Sequence, residues 1–180
     1  MKAALLIIDV QSAICVGDDA AFDIDAVVER INLVIAKARR SGIPIFVIQH
    51  EEDEGPFCFQ AEGWQVYRKV SIATEDIYLR KKGSDSFHQT DLQSMLETKG
   101  IDKLVICGLQ SDFCVDSTVR RALALGYPVT LVADGHSTLD NSVLTAKQII
   151  AHHNATLANL GSYGPRVIPI NATEIQFDPQ

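Results

Sequence analysis

The strongest constraint on the fold is the segment 104–135, LVICGLQSDFCVDSTVRRALALGYPVTLVADG, which reads as strand, helix and strand in quick succession. The run LVIC is short, apolar and β-branched and ends at Gly108, as a strand buried on both faces does. From Cys114 the spacing turns helical, with Val115, Val119, Ala122 and Leu123 apolar and Arg120 and Arg121 polar, until Gly126 stops it. YPVTLVAD then restarts as a buried strand. Two buried strands joined by a helix imply a parallel pair with a crossover.

The same rhythm runs along the rest of the chain. Strands are predicted at 4–10, 44–49, 76–81 and 166–170, and helices at 25–40, 89–99 and 141–159. Gly42, Gly100 and Gly126 each follow a helical segment and precede a strand, the place of a left-handed C-terminal cap. Strands alternating with helices make an α/β fold: a doubly wound, Rossmann-like parallel sheet with helices on both faces. No linker, low-complexity stretch or repeat divides the sequence, so a single domain over 1–180 is expected.

Composition narrows the functional classes. Of 180 residues, 47% are hydrophobic and 22% charged, as in an ordinary globular protein, and the formal net charge is −7. Lys37, Arg39, Arg40, Arg80, Lys81 and Lys82 are too scattered for a basic patch, so no nucleic-acid partner is expected. The apolar run of MKAALLIIDVQ stops at Asp9, too early for a signal peptide or a membrane span. The cysteines at 15, 58, 107 and 114 show no CxxC spacing, which points to reduced thiols and a cytoplasmic location.

In an open parallel sheet the ligand crevice lies beyond the carboxyl ends of the strands. Asp9 closes the first strand, Lys81 or Lys82 closes DIYLRK, and Cys114 follows LVICG, which brings a carboxylate, an ammonium and a thiol to one rim. A thiol in the first turn of a helix meets unpaired N–H groups and the positive end of the dipole, both favouring thiolate. Free cysteines are more often small hydrophobes of the core, which fits Cys107.

These pieces resemble the isochorismatase-like cysteine hydrolases, a family that includes nicotinamidases, carbamoyl-amide hydrolases and ureidoacrylate hydrolases. The resemblance is carried by LLIIDVQ at 5–11, DIYLRKKGSDSFHQTDL at 76–92 and LVICGLQSDFCVDSTVRRALALGYPVTLVADGHST at 104–138, in that order. It implies the isochorismatase-like hydrolase fold and a catalytic triad on Asp9, a lysine and Cys114. It also implies an oxyanion site made by backbone N–H groups of Gln110 and Cys114, with a cis peptide at Leu109–Gln110. The family pattern has a lysine six residues before the phenylalanine of a D-S-F element, which selects Lys81 from Phe87. Strand alternation agrees, since Lys81 shares a face with Ile77 and Leu79. The K-G pair of nicotinamidases points instead to Lys82.

The implied chemistry is hydrolysis of a C–N bond in a small amide, ureide or carbamoyl compound, through a thioester on Cys114. Nicotinamidases carry an Asp-x-His and a further His for a metal, whereas IQHEEDEGPF offers His50 with acids after it. His50 reads as a rim histidine near the substrate or as part of a solvated acidic loop. His152 and His153 lie about 100° apart on a helix and present no joint ligand face. No metal and no cofactor are expected. His136, in DGHST, reads either as a substrate contact or as a turn residue.

Alternatives remain open at this point: an isochorismate- or nicotinamide-type hydrolase, a thiol redox protein, or a non-catalytic binding domain. The segment 57–67 concentrates Phe57, Phe59, Trp64 and Tyr67, and is expected to close the crevice and to meet a second copy in a homodimer or higher homo-oligomer.

Overall fold

The computed structural model describes residues 1–177. Six strands form one parallel sheet: β1 (Ala3–Ile8), β2 (Ile45–His50), β3 (Ile77–Lys81), β4 (Lys103–Leu109), β5 (Val129–Ser137) and β6 (Val167–Ile170). Their order across the sheet is β3-β2-β1-β4-β5-β6. The order reverses beside β1, so a crevice opens between the carboxyl ends of β1 and β4.

Side-chain alternation splits the core into two layers. Leu5, Ile7, Val47, Val105 and Cys107 face α1 (Ile24–Arg40), which contributes Val27, Val28, Ile31, Val34 and Ile35. Ala4, Leu6, Ile8, Phe46, Ile48 and Ile106 face the other way. There they meet Leu92 and Leu96 of α2 (Leu92–Thr98), Val119 and Leu123 of α3 (Asp116–Ala124), and Leu157 of α4 (Ala146–Ala158). Helices therefore cover both faces, as continuous apolar strands require.

Three helices end alike. Gly42, Gly100 and Gly126 have φ of 68°, 63° and 95°. The next residue in each case donates back into the helix, with Ile43, Ile101 and Tyr127 N–H bonding Ala38, Leu96 and Ala122 carbonyls at 2.9 Å. This six-to-one bond, with apolar partners at both its ends, satisfies terminal carbonyls and turns the chain into the following strand.

Element boundaries differ from the sequence expectation in ways that matter for the site. β1 stops at Ile8, because Asp9 adopts φ of 50° and leaves the ladder. The helix expected from Cys114 begins at Asp116, and residues Ser111–Val115 form a π-helical turn before it. β5 runs to Ser137, since the register shifts between Ile106 and Gly108 and residues 136–137 pair with Gly108 and Leu109. The last helix starts at Ala146 instead of near 141, capped by Thr145 and Gln148 in a reciprocal capping box.

Candidate active site

Asp9, Lys81 and Cys114 come from the carboxyl ends of three elements and meet at the crevice. Lys81 ends the edge strand β3, where alternation turns Tyr78 and Arg80 outward and Leu79 and Lys81 inward. Its side chain is fully buried, which is costly for an ammonium unless every donor is matched. All three donors are matched: Nζ bonds Asp9 Oδ2 at 2.7 Å, the Gly83 carbonyl at 3.1 Å and Cys114 Sγ at 3.3 Å. Lys82, on the opposite face, is exposed and pairs with Asp53.

Asp9 is 2% exposed. One carboxylate oxygen is held by Lys81, and the other, Oδ1, is buried without a hydrogen bond. A buried, unpartnered acceptor is an expensive arrangement, and here it leaves a proton acceptor beside a thiol. Space for this corner depends on Gly108, whose φ is 120°; a Cβ there would lie 2.1 Å from the Ile8 carbonyl oxygen. The β4 backbone therefore packs directly against the residue that precedes Asp9.

The segment carrying Cys114 is fixed from below. The peptide bond Leu109–Gln110 is cis. Within the π-helical turn, Val115 N–H reaches the Gln110 carbonyl at 3.1 Å. Ser111, the first residue of that turn, bonds His136 Nδ1 at 2.7 Å, and His136 Nε2 meets Asn154 Oδ1 at 3.1 Å. Asn154 in turn donates to the Ala133 carbonyl at 2.9 Å, which leaves its Oδ1 as the acceptor for an Nε2–H. His136 Nδ1 is then the acceptor for the Ser111 hydroxyl. Burial holds this imidazole uncharged, with its pKa pushed down to about 4.

The loop after Lys81 is tied to the same helix that follows Cys114. Ser86 N–H and Oγ bond Thr118 Oγ1 at 3.0 and 2.8 Å, and the Phe87 N–H caps onto Asp85 Oδ1 at 2.8 Å. Phe87 stacks on Tyr127, with ring centroids 6.2 Å apart. The D-S-F element thus locks the position of the lysine loop against α3.

Electrostatics set the resting state of the thiol. Burial, reinforced by the negative charge of Asp9 and opposed by Lys81, pushes the Cys114 pKa up to about 12. The expectation that the helix N-terminus would favour thiolate gives way to these stronger effects, because the cysteine lies in the π-helical turn, before the α-helix begins. At neutral pH the group is a thiol beside a carboxylate. Cys15 and Cys107 are also protonated by burial, and neither lies near a base.

A cleft of about 260 Å³ opens on this centre. Asp9, Gln110 and Cys114 line it, with His50, Glu52 and Phe57 from the end of β2 and Ile14, Ser84 and Phe113 around the mouth. A larger groove of about 750 Å³ lies beside β3, lined by Lys81 and its neighbours in that strand but not by Asp9 or Cys114. Of the residues expected to bind substrate, His50 lines the cleft. His136 does not: it is 1% exposed and engaged on both nitrogens. Its position is a correction to the substrate-contact reading, and its cause is the extension of β5, which carries residue 136 into the interior.

Sequence reading passed over Glu52, Ser84, Phe113 and Ser111. Glu52 was hidden in an acidic run that looked solvated, and Phe113 is an exposed aromatic directly before Cys114. Within 57–67, Phe57 lines the cleft and packs edge-on against His50 at 5.5 Å. Phe59 instead packs edge-on against Trp64 at 5.0 Å, with Arg80 over its ring. His152 and His153 lie on α4, bonded to Thr156 and Asp116. Among the described residues no helix is long and apolar enough to cross a membrane.

Comparison with known proteins follows the same outline. Residues 3–162 match the model of the isochorismatase domain. A streptothricin hydrolase of Streptomyces noursei is 34% identical over 140 residues, covering 76% of this chain and 50% of the relative. The chain thus spans about half the length of that relative. The crystal structure of an isochorismatase from Pseudomonas putida KT2440 superposes with a TM-score of 0.89 at 28% identity, covering 97% of this chain and 90% of that one. The N-carbamoylsarcosine amidase of Thermoplasma acidophilum gives 0.81 at 25% identity, covering 98% and 100%.

Proposed function

The chain belongs to the isochorismatase family, and from that premise we propose that it is a cysteine-nucleophile hydrolase cleaving the C–N bond of a small amide, ureide or carbamoyl compound. The observation that carries this reading is the shared ammonium: Lys81 Nζ bonds Asp9 and Cys114 at once, next to the open cleft. The amidase among the structural neighbours fits it.

Asp9 takes the thiol proton of Cys114 as Sγ bonds to the carbonyl carbon. Lys81 keeps Asp9 ionised and aligned until then. Negative charge moves to the carbonyl oxygen, where backbone N–H groups of Gln110 and Cys114 stabilise it. The tetrahedral adduct collapses with the C–N bond breaking, and the leaving nitrogen receives the proton from Asp9. Water then attacks the thioester, giving its proton to Asp9 as the C–S bond breaks, and Asp9 returns that proton to the sulfur. Acid and amine or ammonia leave, and the enzyme is restored.

A raised thiol pKa suits this concerted transfer, since the nucleophile forms only when substrate is in place. It counts against a redox-sensor role, which needs a standing thiolate. The cleft lies below the usual range of about 300–1,000 Å³ for small-molecule sites, which favours a small substrate. The cycle needs neither metal nor cofactor, and a chelator should leave the rate unchanged. We assign the protein to the cytoplasm on its free cysteines, and to a homodimer or larger assembly in which the exposed Phe59 face of the 57–67 segment meets a second copy.

The test is ammonia release from a panel of small amides, ureides and carbamoyl compounds. Release by the native chain, lost in Cys114→Ala, supports the reading. No release from any member, or full release by Cys114→Ala, overturns it.

A further inference from the structure

No lysine or arginine is among the residues that line the cleft. Beyond Asp9, its charged side chain is Glu52, half exposed, whose Oε1 lies 3.2 Å from His50 Nε2. A carboxylate can only accept, so this contact requires a hydrogen on Nε2. The other ring nitrogen, Nδ1, is buried without a hydrogen bond. Asp9 Oδ1 is in the same condition. The cleft thus presents a half-exposed carboxylate, Glu52, in addition to the buried carboxylate of Asp9.

The nearby cations are already engaged. Lys81 has all three donors committed. Arg80 lies 3.3 Å from Glu51, and Lys82 pairs with Asp53. The acids on either side of Glu52 thus hold the cations beside Lys81, while Glu52 lines the cleft. A substrate carboxylate placed here would face Glu52 with no lysine or arginine among the lining residues, whereas an ammonium or another N–H-rich group would find Glu52 beside the aromatic side chains of Phe57 and Phe113.

We infer that the cleft selects amides whose distal end is cationic or rich in hydrogen-bond donors and rejects those whose distal end is a carboxylate, with Glu52 as the specificity-determining residue. The inference rests on the C–N hydrolase reading and extends it to the charge class of the substrate.

Three amides of matched length test it: 3-aminopropanamide, butanamide and succinamate, carrying a cation, a methyl group and an anion. Titration calorimetry on the Cys114→Ala protein reads binding without turnover, after its melting curve has been matched to that of the native chain. If that variant does not fold, the same order is read from inhibition of native alkylation at Cys114. The cation should bind at least about tenfold more tightly than succinamate. Glu52→Gln should shrink the gap, and Glu52→Lys should reverse it. Succinamate binding as tightly as the cation overturns the inference, as does an unchanged order in Glu52→Lys or no binding of the cation at about 10 mM. Ammonia release by the native chain is read separately. Binding in the expected order without hydrolysis of any amide removes the hydrolase reading alone, and hydrolysis with preference for the anion removes the inference alone.

Discussion

Lys81 Nζ donates to Asp9 Oδ2 at 2.7 Å with both side chains withdrawn from solvent, while Asp9 Oδ1 is left bare beside the thiol. The pair serves two ends at once. It neutralises two charges that could not otherwise be buried, and it keeps one oxygen free to accept a proton.

Breaking the pair should therefore cost more than removing it. Lys81→Met leaves a buried, uncompensated carboxylate and should lower stability by about 3–5 kcal/mol, and Asp9→Asn strands the ammonium in the same way. The double variant Asp9→Asn, Lys81→Met should be less destabilised than the sum of the two. Urea denaturation of the three variants gives the coupling directly; strict additivity would show that the contact carries no energy.

Thiol reactivity separates the influence of Asp9 from that of Lys81. The Asp9 charge raises the Cys114 pKa and Lys81 lowers it, so Asp9→Asn should lower the pKa from about 12. Alkylation of Cys114 by iodoacetamide near pH 8 should accelerate in Asp9→Asn even as turnover is lost. A slower reaction in that variant would mean that Asp9 activates the resting thiol, contrary to the electrostatics.

Much of the fold was legible because its signals are local. Apolar runs such as ALLII and LVIC, helical spacing in 25–40 and the glycines at 42, 100 and 126 between helix and strand require no knowledge of distant contacts. Asp9, Lys81 and Cys114 were legible for the same reason, each ending or following such a run. The extension of β5 to Ser137 was not, since it depends on the shifted pairing of β4 with β5, nor was the π-helical turn at Ser111–Val115, whose first residue bonds His136 from that extension. His136 illustrates the consequence: its sequence context is a turn, and its surroundings are the interior. Between Lys81 and Lys82 the family spacing to Phe87 and strand alternation pointed to Lys81 and the K-G pair to Lys82, and the bond of Lys81 to Asp9 shows which of the two reaches that carboxylate.

His136 predicts a pH dependence. Its pKa in the folded chain, about 4, lies below the ordinary value of 6.5, so between these limits the unfolded chain binds a proton that the folded chain refuses. Stability should fall as pH is lowered through this window, with a contribution of up to about 1.4 kcal/mol per pH unit. His136→Gln should be less stable than the native chain at pH 7, with the difference narrowing toward pH 4.5. A difference that stays constant with pH would contradict the burial of an uncharged ring. Because Ser111 bonds this ring, the variant should also lose turnover under conditions where it remains folded.

Lys82→Ala provides the contrast with Lys81. Its ammonium is exposed and paired with Asp53 at the surface, so both stability and turnover should stay close to native. Loss of activity in Lys82→Ala with retention in Lys81→Ala would reverse the assignment of the two lysines.

The most direct test of the account is intact-protein mass spectrometry on reactions quenched in acid within the first turnovers of an amide substrate. A mass increment equal to the acyl group is expected, localised to the peptide that carries Cys114 and removed by hydroxylamine. A thioester on Cys114 is contradicted if no adduct forms while ammonia is released, and most plainly if Cys114→Ala releases ammonia at the native rate, because the nucleophile would then be water.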